Sequence, residues 1–331
     1  MYIVSPAGLL RLELQKRNST GVTPYVEHAK SFFPRSYVLL SRQQNQLFSF
    51  FFARVTMTRL SRLVLSTLLA LALAAPAAGA SDFILSITEG ITYYQTNKEI
   101  QARFAPLAEQ ISKAIKRPVR VVITSAYAEA REGLEKQEFD LAFIHPAQVA
   151  LGAIKSGKYK SIAWTTGYTD YSVMLLTNKD QPFAKLEDLR GRTIVSPDPD
   201  SITAWMLRAM LRDQQLKPGE DVKIITTRYQ DAVPFYIQNG FAQAGATAAK
   251  AVAKEWTDKG GKVMLSSRPV PIKQWIVSSK VPPEEVDKIR AVLLGAAQND
   301  AGKQALGTLG YKGFVAPSHE DEQKAIAWLG L

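Results

Sequence analysis

The chain has 331 residues, 46% of them apolar and 21% charged, with 20 Gly and 17 Pro; this ordinary globular composition excludes a disordered, collagen-like or coiled-coil protein and leaves room for two domains. It has no cysteine and only His28, His145 and His319, which excludes disulfides, thiol chemistry, Cys-ligated metals and a multi-histidine metal centre. Most of the net charge of +11 lies in residues 1–80, whereas residues 81–331 carry 32 Lys/Arg against 28 Asp/Glu, so no nucleic-acid partner is expected.

Residues 1–56 show no sustained period and read as a misassigned start or an unstructured extension ahead of Met57. Residues 57–80 have the order of an export signal. Arg59 and Arg62 form a basic start, Leu63 to Ala75 a 13-residue apolar run, and Ala78-Gly79-Ala80 a small-residue cleavage site. The run is shorter than the roughly 20 residues a bilayer span needs, so no membrane span is expected after cleavage. The mature chain then begins at Ser81 and works in the periplasm, where a cysteine-free sequence sits easily.

From Phe83 the pattern alternates strand and helix. Phe83 to Thr88 reads as a strand, Ile100 to Ile115 as a helix with apolar residues at helical spacing, and Val119 to Thr124 as a second strand. A helix around Ala130 and Leu134 leads to a third strand, Phe139 to Ile144, and Pro146 opens the next helix. Strands are predicted at 161–166, 171–177, 193–196, 222–226, 244–246, 263–266 and 274–278. Helices are predicted at 186–189, 201–214, 232–239, 247–256, from Pro282 to about Gln298, and from Ser318. This alternation predicts an α/β protein with two lobes, the chain leaving the first near residue 175 and returning near 275, with a ligand cleft between them.

Two stretches stand out. Asp198-Pro199-Asp200-Ser201-Ile202-Thr203 follows a strand, and Ser201 or Asp200 caps the helix that follows. The segment is either an ordinary cap or an anion site built from helix N–H groups and the Ser201 and Thr203 hydroxyls. In the second, a strand ends directly in His145 and the next helix starts at Pro146, which places His145 and Gln148 where open α/β sheets bind ligands. His145 could equally be a structural residue. Tyr93, Tyr94, Tyr127 and Tyr171 lie at strand ends and could line the same cleft or simply pack. The sequence has no G-x-S-x-G, H-E-x-x-H, P-loop or G-x-G-x-x-G. A protein that binds, with no catalytic residues, no cofactor and no metal, is expected.

With these residues in view, 82–331 resembles the phosphate/phosphonate-type periplasmic substrate-binding proteins of ABC transporters. The resemblance rests on Phe104-Ala105-Pro106-Leu107 with Arg117-Pro118-Val119, and on Phe139 to Phe143 with Pro146-Ala147. It continues through Leu186 to Thr193, Asp198-Pro199 with Ser201 and Thr203, and Pro269 to Trp275 with Val281-Pro282. It implies a type II periplasmic-binding-protein fold with two crossing strands as hinge, lobe 1 being 81–175 with 275–331 and lobe 2 being 176–274. It also implies a small anionic ligand (phosphonate, phosphite or phosphate) delivered to an ABC permease. Two departures narrow it. Ile202 stands where the family pattern has a hydroxyl, and Gln243 lies in a stretch where the pattern often has an aspartate that can meet an amine, so an aminophosphonate is disfavoured. A periplasmic ligand-sensing module for a two-component system is the alternative reading.

Overall fold

The computed structural model describes residues 82–89 and 96–331. The extension 1–56 and the export segment 57–80 lie outside the described residues. The first sheet contains β1 (Phe83–Thr88), β2 (Val119–Ile123), β3 (Leu141–Ile144), β4 (Tyr159–Thr165), β10 (Gln274–Ser278) and β11 (Phe314–Val315), in the order β11-β4-β10-β3-β1-β2. The second contains β5 (Met174–Thr177), β6 (Thr193–Ser196), β7 (Lys223–Thr226), β8 (Ala244–Thr247) and β9 (Lys262–Ser266), in the order β7-β6-β8-β5-β9.

Both sheets follow one plan, although the sequence holds no repeat. Three parallel strands lie with the earliest in the middle, and a fourth strand joins antiparallel beside them. That fourth strand comes from just past a crossing: β5 in the second sheet and β10 in the first. The crossings themselves are residues 166–173 and 267–273, a few residues ahead of both strands. They are knit by an isolated bridge between Tyr171 and Val270 and by backbone bonds from Val270 N to Tyr171 O and from Ile272 N to Tyr168 O, both 2.9 Å.

The helices follow from the apolar spacing. In α1 (Asn97–Ile115), Ile100, Phe104, Leu107, Ala108, Ile111 and Ile115 are the buried face. Phe104 meets Phe143 at 5.1 Å between ring centroids, and Phe143 meets Trp275 at 5.0 Å. Burying each of these rings is worth about 1.5–3 kcal/mol. On the other face of the sheet lie α2 (Tyr127–Lys136) and α3 (Ala147–Lys155), packed over Ile144 and Ile276. The second sheet carries α4 (Ile202–Asp213), α5 (Val233–Gln238) and α6 (Lys250–Asp258). After β10 come α7 (Pro283–Gly295), α8 (Asp300–Leu309) and α9 (His319–Leu329). One apolar cluster joins Ala147 and Leu151 of α3, Ile202 and Met206 of α4, and Ala325 and Ile326 of α9. The last helix thus packs against helices from both halves, and its Trp328 Nε1 donates to Asp213 Oδ2 at 2.8 Å.

Three elements differ from the sequence expectation. Residues 247–249 do not begin a helix: Thr247 pairs with Met174 in the β5–β8 ladder, and α6 starts at Lys250. Helix α8 and the short β11 were not expected from the sequence.

Candidate functional site

The carboxyl ends of the parallel strands in both halves point to the region where the halves meet. The loop after β6 reaches the helices that follow β2 and β3: Gln148 Nε2 donates to Asp200 O at 2.6 Å, and Arg131 lies 3.7 Å from Asp200 Oδ2. This is the geometry in which open α/β sheets hold ligands.

On the second half the loop folds on itself, with Asp200 N donating to Asp198 Oδ1 at 2.8 Å and Ser201 N to Asp198 O at 2.9 Å. Ser201 is the N-cap of α4, its Oγ accepting from Ala204 N at 3.2 Å, and the first helical bond runs from Trp205 N to Ser201 O. Ile202 and Thr203 therefore present first-turn N–H groups that have no acceptor within the helix. Thr203 is fully buried and its Oγ1 lies 3.0 Å from the Tyr171 hydroxyl. Gln230 continues the chain of contacts, donating from Nε2 to Tyr171 Oη at 3.4 Å and accepting at Oε1 from Ala248 N at 2.5 Å and Thr247 Oγ1 at 3.2 Å. One polar network thus ties the end of β8, a crossing segment and the first turn of α4. Close by, at the end of β6, Ser196 Oγ is buried with no partner among the described residues.

On the first half, four of the six partnerless buried side-chain atoms among the described residues share one corner: Thr88 Oγ1, His145 Nδ1, Gln148 Oε1 and Gln274 Oε1, while Trp275 Nε1 and Glu322 Oε2 are the other two. Register explains the grouping. Thr88 and Gln274 both pair with Ile144, so all three stand side by side on the face that α3 covers, with His145 next along the chain and Gln148 on the first turn of α3. Buried polar atoms in native proteins are nearly always paired, so four without a partner side by side set this corner apart.

His145 is neutral there. Burial first, and the Lys273 charge second, push its pKa down to about 3. The unfolded chain takes up this proton near pH 6.5 while the folded chain does not until about pH 3, so stability is lost as pH falls through that window. At pH 5 the protein is expected to lose about 2 kcal/mol relative to pH 7 that His145→Asn does not lose. Urea denaturation of both proteins at the two pH values checks this, and identical pH slopes would contradict it.

Of the residues expected from sequence, Ser201, Thr203, Tyr171, His145 and Gln148 lie at or beside this meeting of the halves. Tyr127 starts α2 and is buried against Ala130, Leu134 and Ile144. Tyr93 and Tyr94 lie outside the described residues. Thr88, Ser196, Gln230 and Gln274 were missed, and their signal was a polar residue closing, following or opening an apolar strand. Beside the crossings, a cavity of about 380 Å³ is lined by Tyr168, Tyr171, Tyr311, Lys250 and Lys312. No group of metal-ligating side chains occurs among the described residues, and no described helix is long and apolar enough to cross a membrane.

Comparison with known proteins gives this arrangement a setting. Residues 90–322 match the profile of a family described as the phosphonate periplasmic substrate-binding protein of ABC transporters. Among solved structures, XAC2383 from Xanthomonas citri bound to ATP is similar with a TM-score of 0.63 at 15% identity, covering 76% of this chain and 98% of that one. PhnD1 from Prochlorococcus marinus in complex with methylphosphonate is similar at 0.55 and 14% identity, covering 75% and 97%. A binding-protein component of an ABC phosphonate transporter from Pseudomonas aeruginosa is similar at 0.53 and 16%, covering 75% and 85%. At these identities the structural likeness establishes the two-lobed, type II periplasmic-binding-protein fold.

Proposed function

The chain belongs to the family of phosphonate periplasmic substrate-binding proteins of ABC transporters, and from that membership we propose that it captures a small phosphorus oxyanion between its two halves and delivers it to a membrane permease. The observation that carries the reading is the pair of facing polar walls. One holds Ser196 with the first turn of α4, and the other holds Thr88, His145, Gln148 and Gln274. The Ser201 and Thr203 hydroxyls and the N–H groups beside them suit an oxyanion, since charge-assisted hydrogen bonds are about twice as strong as neutral ones. Two lobes that divide near residues 175 and 275, hinged at the crossings just ahead of β5 and β10, belong to the same proposal. The family's transport role favours delivery to a permease over sensing.

A thermal-shift screen of the purified protein against phosphate, phosphite, alkylphosphonates, sulfonates and carboxylates tests the ligand class. Stabilisation by a phosphorus oxyanion is expected, and stabilisation by carboxylates alone would contradict it. Export through residues 57–80 completes the reading: N-terminal sequencing of periplasmic protein is expected to begin at Ser81, and an intact N-terminus would refute cleavage there.

A further inference from the structure

The two walls differ in chemistry. The second half offers hydrogen-bond donors, whereas the first-half corner is rich in acceptors, and the orientation of both glutamines is fixed by what their amide nitrogens meet. Gln148 Nε2 donates to the carbonyl of Asp200, and Gln274 Nε2 donates to the carbonyl of Pro271 at 3.1 Å. A carbonyl can only accept, so the –NH₂ of each side chain must face it and each Oε1 is left as a pure acceptor. Gln148 is 4% exposed and Gln274 fully buried, and both Oε1 atoms are without a partner among the described residues.

A phosphonate or phosphate dianion is itself acceptor-only and does not complement two amide oxygens. A ligand that brings hydrogens complements those oxygens. A cationic ammonium would also bring them, but among the described residues this corner holds no orphaned carboxylate. Glu89 is already engaged by Arg103 Nη1 and by the Tyr311 hydroxyl, both at 2.7 Å. The buried cation Lys273 also acts on the corner, its field reaching His145. A second positive charge would be placed against it with no counter-ion.

Resting on the oxyanion reading above, we infer that the ligand's organic substituent carries a neutral hydrogen-bond donor, either a hydroxyl received by Gln148 Oε1 or Gln274 Oε1, or a primary amide whose two hydrogens can serve both. The class is thus hydroxylated or amidated phosphorus oxyanions rather than simple alkyl, amino or carboxy ones. A site whose buried polar atoms await a ligand hydroxyl discriminates against the analogue that leaves them unpaired.

Calorimetric titration with hydroxymethylphosphonate, methylphosphonate and aminomethylphosphonate tests this. Hydroxymethylphosphonate is expected to bind at least about tenfold tighter than either of the others. Gln274→Met and Gln148→Met are measured separately so that one unstable variant does not end the test, and at least one is expected to bring the hydroxymethyl-to-methyl ratio towards one. Gln274→Glu is expected to shift preference towards aminomethylphosphonate by supplying the missing counter-charge. Methylphosphonate binding as tightly as hydroxymethylphosphonate, or a ratio unchanged in both Met variants, would overturn the inference while leaving the oxyanion reading standing. Binding of no phosphorus oxyanion at all would overturn both.

Discussion

Replacing Ser201 and Thr203 together by alanine is expected to cost on the order of 2–4 kcal/mol of affinity for the phosphorus oxyanion, at about 1–2 kcal/mol per lost donor to a charged acceptor. The structure separates this loss from damage to the fold. Ser201 Oγ caps α4 through Ala204 N, so its removal also costs about 1 kcal/mol of stability, whereas Ser201→Gly loses only a few tenths. Thr203 Oγ1 holds the Tyr171 hydroxyl, so its loss loosens a crossing segment as well. Calorimetry on the double Ala variant, with Ser201→Gly paired to Thr203→Val as a second pair, reads affinity while urea denaturation reads stability. Unchanged affinity in the double variant would remove these residues from the site.

The second large effect concerns stability. Glu89 Oε1 accepts from the Tyr311 hydroxyl at 2.7 Å and lies 3.9 Å from Lys273 Nζ, while its Oε2 receives Arg103 at 2.7 Å. The side chains of Glu89 and Lys273 are only 1% and 4% exposed, and Lys273 also lies 4.6 Å from the centre of the Tyr168 ring. Burial lowers the pKa of Lys273, with Tyr168 and Glu89 opposing that effect, so the carboxylate supports the charged lysine. Glu89→Gln leaves two cations without their shared anion and is expected to cost about 3–5 kcal/mol, the usual consequence of removing one partner of a buried ion group. Lys273 sits on a crossing segment at φ 57°, and Thr165 Oγ1 donates to its carbonyl at 2.7 Å, so the loss falls on the link between the halves. Urea denaturation measures it, and a change within about 0.5 kcal/mol, the range of an ordinary surface substitution, would show that the cluster contributes little.

Much of the architecture was legible in the sequence because period and punctuation agreed. Ile100 to Ile115 shows its buried face residue by residue, and the apolar strands ending in Thr88, Ile144 and Ser196 are where the spacing put them. Where propensity and pairing disagreed, pairing won: the alanine-rich run from Ala244 suits a helix, yet the β5 ladder holds it extended through Thr247. Helix α8 carried its signals, with Asn299 Oδ1 accepting from Gly302 N and Gly310 closing the end at φ 72°, but Gly302 and Gly307 inside it weaken the helical pattern. Strand β11 is two residues long and has no period to show.

The candidate site was legible only where a motif marked it. Ser201 and Thr203 announce themselves by the cap, and His145 by its place at a strand end. Thr88 and Gln274 stand at strand ends beside Glu89 and Lys273 and match no motif. Only strand register, which sets both beside Ile144 across 56 and 130 positions of chain, makes them neighbours. The Glu89–Tyr311 bond joins residues 222 apart and likewise leaves no local trace.

The central claim is that two hinged halves close on a shared ligand. A molecule touching Ser201 and Thr203 on one side and the Gln148 and Gln274 corner on the other gains all its contacts only when the halves meet, so it shifts the population towards closure. Moving from mostly open to mostly closed takes about 5.5 kcal/mol of differential affinity, within reach of several charge-assisted hydrogen bonds. Small-angle X-ray scattering of the purified protein, with and without a saturating phosphorus oxyanion found by thermal shift, measures this directly. A smaller radius of gyration with the ligand is the expected result, and an identical radius in both samples would contradict the clamp.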